Sequence, residues 1–295
     1  MSLQGLLEPD AVKAARPVLR GAGRSNASGL PGDAEHLVRL LLAGKLHAVR
    51  VPGDEEEALR DLVRARDSVR MDLMRCRHRL SKLLLRHGIR FDDGHAWTER
   101  HRAWLATVTL DWPAAQATLL DARGAIDALA HRRDGLEREI VAMLPSSPWV
   151  VQVGRLRCLR GVDTLSAVGL CAEIGDFERF ARAEQLSSYV GLVPSESTTG
   201  QQRRLGSITK TGSGHARRLL VEAAWHYRSR PAIGRALTDR QDSQPPAAIA
   251  VSWSAQRRLH RTWTRLEARG KRRTIIAVAA ARELAGFAWA ITQIE

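Results

Sequence analysis

Between Asp54 and His87, Leu59, Leu62, Val69, Leu73, Cys76, Leu80 and Leu83 recur at alternating spacings of three and four, and Arg66 is the one charged member of the series. A helix turns once in about 3.6 residues, so this stripe predicts a long helix carrying a coiled-coil seam. A second stripe, Ala115, Leu119, Ala122, Ile126, Leu129, Arg133, Leu136, Ile140 and Met143, starts after Pro113 and stops before Pro145. The two match in length and are joined by HGIRFDDGHAWTERHRAW, which predicts an antiparallel helical hairpin. Its remaining apolar face suits a second copy of the chain. A heptad stripe does not fix partner number, so two ordinary bundle helices of a monomer are an equal reading.

The pattern changes on either side. Residues 1–32 hold Pro9, Pro17, Pro31 and the run GAGRSNASGLPG, with no helical or strand period, and predict loop or disorder. DAEHLVRLLLAGK predicts a short helix capped by Asp33 and ended by Gly44, and HAVRV a short extended segment closed by Pro52. After SSPWV, Gly161, Gly175, Gly191, Gly200, Gly206 and Gly212 punctuate a mostly helical text, with helices expected near 164–174, 183–190, 213–230, 247–268 and 274–291. The organisation read from this is 1–52, 53–148 and 149–295, and the fold class is mainly α.

Composition narrows the partner. Lys and Arg number 46 against 32 Asp and Glu, a formal charge of +14, which points to a polyanion unless the source is simply arginine-rich. Cys76, Cys158 and Cys171 are far apart and form no CxxC pair, so neither a disulfide framework nor a thiolate zinc site is expected, and a reducing cytoplasm fits. The ten histidines show no ligand spacing, and no phosphate loop of the Walker type or GxGxxG follows a strand. The opening residues lack the order of a signal peptide. The apolar stretch Thr274–Ile291 carries Arg282 and Glu283 in its middle, which favours a core helix over a membrane span.

Three stretches could carry chemistry. LRCLRGVDTLSAVGLCAEIG places Gly161 in a turn and Thr164 as a potential N-cap, as in a helix-hairpin-helix whose turn amides hold a DNA phosphate. A plain packing turn reads equally well, and Asp163 stands where such motifs usually carry a second glycine. SSYVGLVPSESTTGQQRRLGSITKTGSGHARRLLVEAAWHYR brackets a hydroxyl-rich loop with Pro194 and Gly200, then brings Arg203, Arg204 and Lys210 to a helix start bearing His215, Arg217 and Arg218. Cations, hydroxyls and helix amides together suit a phosphate diester. In SWSAQRRLHRTWTRLEARGKRR, Trp253, Arg257, His260, Arg261 and Trp263 suit single-stranded DNA or RNA, although tryptophans at this spacing more often pack a helix onto a core.

From about Gly32 onward the chain resembles the insertion-sequence 110/116/902 transposases. The resemblance is carried by LRGVDTLSAVGLCAEIGDFERF, SYVGLVPSE, GSITKTGSGHARRLLVEAAWHYR and DAEHLVRLLLAGKLHAVRVP. It implies an amino-terminal RuvC-like nuclease domain with four acids, a coiled coil, and a helical domain with a nucleophilic serine. It also implies cutting and rejoining of DNA in transposition, magnesium as cofactor, and DNA as partner, with an element-derived structured RNA in some members. A homo-oligomer formed through the coiled coil and a cytoplasmic location complete that expectation.

Two departures qualify it. The family's last acid pair, Asp-x-x-Asp-Ala, keeps Asp33 but has Leu30 in its first position, and the residues before it are too few for the acid-bearing strands. The expectation is an amino-terminally truncated member with a remnant α/β domain, in which Asp33 alone cannot assemble a two-metal site. The serine position holds Thr199, with Thr198 and Ser197 as neighbours to which the nucleophile could shift. Gly161, Thr164, Arg203, Arg204, Lys210, His215, Arg217 and Arg218 are the expected DNA contacts. The departures imply a chain defective in transposition on its own, with a non-catalytic nucleic-acid-binding fragment as the rival reading.

Overall fold

The computed structural model describes residues 30–45, 51–199 and 202–294; the side chains of residues 30–33, 197–199 and 202–205 lie outside that description. So do the readings made for residues 1–29 and His47–Arg50. The fold is mainly α: the described strands are a single antiparallel pair. Helix α1 (Leu30–Leu42) starts earlier than expected, which places Asp33 in its first turn and not at its cap. Pro31 accounts for this, because proline's fixed φ and missing N–H are tolerated at a helix start.

The chain divides into two compact units, one of them Glu57–Val150. It holds α2 (Asp54–Arg86), short α3 (Glu99–Thr107) and α4 (Pro113–Met143). Leu73, Cys76, Leu80, Leu83 and Leu84 of α2 share a core with Leu119 and Ile126 of α4, sealed by Leu105, Val108 and Leu110. The helices run antiparallel, since Arg66 early in α2 bonds Glu137 late in α4 through Nε at 2.8 Å and through Nη2. That bond explains how a charged residue sits in the seam: its partner is drawn from the facing helix. Val63, not Leu62, takes the fully buried position beside it. At the far end of the hairpin, His101 packs among Phe91, Trp97 and Trp104 with ring centroids 4.9 to 5.4 Å away.

The other unit is built on Val151–Glu295. In chain order its elements are α5 (Val150–Leu156), α6 (Thr164–Ile174), α7 (Ala183–Tyr189), β1 (Pro194–Thr199), β2 (Gln202–Ile208), α8 (Gly214–Ala224) with a 3-10 turn (Trp225–Arg228), α9 (Arg235–Gln241), α10 (Pro246–Ala268) and α11 (Arg273–Thr292). Among the described residues, α11 is the one helix long and apolar enough to cross a membrane. Here it is the central core helix, packed by α7, α8 and α10, and Ile276, Ala277, Ala280, Ala281, Leu284 and Ala285 are wholly buried. Its run of alanines lets those neighbours approach closely. The helix expected over 213–230 instead ends at Ala224 and tightens into the 3-10 turn, and α9 was not foreseen.

Candidate nucleic-acid interface

The stretch read as a hydroxyl-rich loop is a β-hairpin. Its register sets Thr199 against Gln202, Thr198 against Arg203, Ser197 against Arg204 and Pro194 against Ile208, with an irregularity between Pro194 and Glu196. The three candidate nucleophile positions therefore end one strand and the two arginines begin the next. Near its base the hairpin is held by Ser195 Oγ, which donates to Ser207 O at 3.0 Å.

Beneath the hairpin two loops cross backbone against backbone. A Cβ on Gly191 (φ +66°) would land on the amide nitrogen and carbonyl oxygen of Thr211, and one on Gly212 (φ +65°) on the carbonyl of Tyr189. Glycine is demanded twice over, by the left-handed backbone and by the close approach. Lys210, also left-handed (φ +57°), donates its N–H to Gly191 O at 3.1 Å and keeps its side chain exposed.

Arg217 fastens this crossing. Its Nη1 donates to Val190 O and to Thr211 O, both at 2.8 Å, and burial pushes its guanidinium below the usual pKa. This expected phosphate contact is committed to internal carbonyls. Arg218 bonds both carboxylate oxygens of Glu222 at 3.1 Å, and His215 Nδ1 lies 3.5 Å from Glu173 Oε1. The start of α8 is likewise occupied: Ser213 Oγ accepts from Ala216 N at 3.2 Å and donates to Glu173 Oε2 at 2.8 Å. Glu173 was not among the expected residues. A lone acid in the apolar text LCAEIG is its only signal, since a carboxylate inside such a helix requires a partner.

The helix-hairpin-helix-like turn is filled in the same way. The N-cap of α6 is Asp163, whose Oδ1 accepts from Ser166 N at 2.7 Å; Thr164, expected to cap, is the helix's first residue. An aspartate there satisfies the amide and places negative charge where a phosphate would bind. Gly161 (φ +82°) is a packing glycine, since a Cβ would come within 2.6 Å of Ala223 O. In α10, Trp263 is buried with its ring 5.4 Å from Trp225, and His260 Nδ1 is 3.2 Å from Tyr227 O, so both are packing residues, whereas Trp253 is partly exposed.

Near the hairpin, the side chain of Lys210 is exposed, and those of 197–199 and 203–204 lie outside the described residues. For magnesium, no group of three or more His, Cys, Asp or Glu among the described residues is placed to hold a metal ion, and Asp33's side chain lies outside them. The described residues do not fit a magnesium site.

Comparison with known proteins bears on the same segment. Residues 153–238, from α5 through α9 and including the hairpin, match the family described as Transposase IS116/IS110/IS902. A putative transposase y4qE of Sinorhizobium fredii is 40% identical over 261 residues, 88% of this chain and 64% of that protein. The transposase for insertion sequence element IS1533 of Leptospira borgpetersenii is 31% identical over 218 residues, 73% of this chain and 63% of that protein. A transposase for IS1328 of Yersinia enterocolitica is 27% identical over 201 residues, 67% of this chain and 58% of that protein. The chain thus spans just under two thirds of the length of its first two relatives. With a family-specific segment enclosing the hairpin and relatives aligned along most of the chain, the chain is similar to transposases of the IS116/IS110/IS902 family and consistent with that family.

Proposed function

We propose that this chain acts on DNA as a transposase and that the hairpin is its working edge. Arg203, Arg204 and Lys210 neutralise the phosphate backbone, and a hydroxyl at 197–199, with Thr199 the leading candidate, attacks phosphorus. The observation that carries this reading is the hairpin register, which puts hydroxyl and guanidinium residues on facing positions within the family-matched segment. The threonine Oγ1–P bond would form as one strand P–O bond breaks, and the hydroxyl proton would pass to the departing strand oxygen. Attack by a second strand's hydroxyl would reverse the step and release Thr199. A phosphodiester is exchanged for a phosphodiester, so no nucleotide cofactor is needed. DNA is the proposed partner and the cytoplasm the proposed location; a second copy through α2 and α4, and a structured RNA on the resemblance alone, are further proposed partners.

The test compares Thr199, Thr199→Ser and Thr199→Ala in a chain carrying Leu30→Asp and extended by the part of a y4qE-like relative that it does not span. Thr199→Ser should raise strand exchange, because serine lacks the methyl that hinders in-line approach. Thr199→Ala should erase it, and a covalent protein–DNA species should map to residue 199 with Ser. Exchange by Thr199→Ala at the threonine rate, or an adduct mapped to 197 or 198, removes Thr199 as nucleophile.

A further inference from the structure

Away from the hairpin, α10 carries a row of arginines that its packing does not use. Arg257, Arg261 and Arg265 recur every four residues, are exposed, and form no ion pair among the described residues. They stand with Arg258 along an open cleft of about 370 Å³ that is also lined by Ser254 and Thr262. Its one carboxylate, Glu283 of α11, is already engaged: Arg258 Nε donates to its Oε2 at 2.8 Å and Thr262 Oγ1 to its Oε1 at 3.2 Å. Four guanidiniums against one carboxylate leave three positive charges uncompensated. Like charges four apart on a helix repel, and an external anion relieves that repulsion.

We infer that this row is a second nucleic-acid contact that follows the backbone of one strand of a DNA duplex, independent of base sequence. The length fits. From Arg257 to Arg265 the helix rises about 12 Å at about 1.5 Å per residue; one strand of B-DNA advances about 3.4 Å along the axis per phosphate and winds as it does so, so the row reaches at most about four phosphates, a span its three long side chains can serve. The chemistry fits as well. Apart from the engaged Glu283, the described residues that line the cleft present guanidiniums and hydroxyls and no aromatic ring, which is the lining for phosphate contact and not for base stacking. Charge-assisted bonds from guanidinium to phosphate are the strong kind, and fork geometry allows two per contact. The inference rests on the reading that DNA is the partner, but not on the hairpin or on Thr199.

The experiment measures binding of the full chain to mixed-sequence DNA duplexes by fluorescence anisotropy over a range of salt, for wild type and for the triple variant Arg257→Gln, Arg261→Gln, Arg265→Gln. Three lost phosphate contacts at about 0.9 each should make the log–log salt slope shallower by about 2.7, equally for unrelated sequences. The three side chains are exposed, so the circular dichroism spectrum should not change. A control that removes the same charge elsewhere, Arg86→Gln, Arg132→Gln, Arg138→Gln, should change the slope by less than one. An unchanged slope in the α10 variant with normal wild-type binding overturns this inference alone, as does an equal change in the control. Loss of affinity for single strands or an RNA hairpin with duplex binding intact also overturns it. Wild-type chain that binds no duplex at low salt overturns the reading of DNA as partner, and this inference with it.

Discussion

Replacing Arg217 by alanine separates two roles that look the same in the sequence, a phosphate contact and an internal fastener. The structure assigns the second. The guanidinium makes two charge-assisted bonds at 2.8 Å, to Val190 O and Thr211 O, across the loop crossing enforced by Gly191 and Gly212. A hydrogen bond with a charged partner contributes about 1.5–3 kcal/mol, and both acceptors are carbonyls that regain water only if the crossing opens. The site is partly buried and water reaches one side, so the lower end applies, and Arg217→Ala should cost about 2–4 kcal/mol locally. At about 1.4 kcal/mol per factor of ten, the amides of Thr209 and Lys210, which bond Val193 O at 2.9 Å and Gly191 O at 3.1 Å, should exchange with solvent roughly thirty- to several-hundred-fold faster. Hydrogen exchange read by mass spectrometry on peptides covering 188–213 measures this. Arg217→Lys, which carries the charge but not the fork, should recover part of the protection. Duplex binding by the same variants supplies the refutation: unchanged exchange with a salt slope shallower by about one would mean that Arg217 touches phosphate and that the fastening role is wrong.

Leu73→Asp puts a carboxylate into the core shared by α2 and α4, where Leu73 is 1% exposed, and should cost on the order of several kcal/mol. Sedimentation of the full chain should show self-association in wild type that Leu73→Asp weakens, and wild type sedimenting as a monomer at every concentration would remove the proposed dimer. His101 gives a pH signature. Burial lowers its pKa from the ordinary value near 6.5, so between that value and the lower folded one the unfolded chain binds more protons than the folded chain. Stability should therefore fall as pH drops below about 6.5 and level off below the folded pKa. In urea melts from pH 7 to pH 5, His101→Phe should flatten that component, and an identical pH slope in the variant would exclude His101 as its source.

The helical part of the fold was legible because its periods are long and its breakers unambiguous. The α2 and α4 stripes continue for about nine turns, and Pro113 and Pro145 mark the second one's limits, so local variation averages out. The burial of Val63 in place of Leu62 was not legible, because burial along α2 depends on what the facing helix sets opposite, here Glu137 bonded to Arg66 about one turn further on. The hairpin was hidden for a different reason. Strands usually announce themselves by alternating apolar and polar residues, and PSESTT and QRRLGSI lack an apolar face to bury. Pro194 and Gly200 read instead as the brackets of a loop.

The candidate site shows why charge clustering in a sequence overstates a binding surface. Arg217, Arg218 and His215 looked equivalent to Lys210, whose side chain is exposed, yet each of those three has an acceptor within the chain. The difference lies in what the chain brings alongside. Residues 215, 217 and 218 sit on a helix that packs against α6, where Arg217 takes the carbonyls of Val190 and Thr211, His215 lies beside Glu173, and Arg218 pairs with Glu222 of the same helix. Buried acceptors must be satisfied before any cation is free for a ligand, and Val190 O and Glu173 lie 27 and 42 residues away in sequence from Arg217 and His215. Arg257, Arg261 and Arg265 are the converse case. They share a helix with Trp263, whose spacing suggested a helix packed onto a core, and the tryptophan does turn inward while the arginines line a cleft whose one carboxylate is engaged. Adjacent residues on one helix thus have separate fates, set by their angular position against a neighbour that only the tertiary fold brings there.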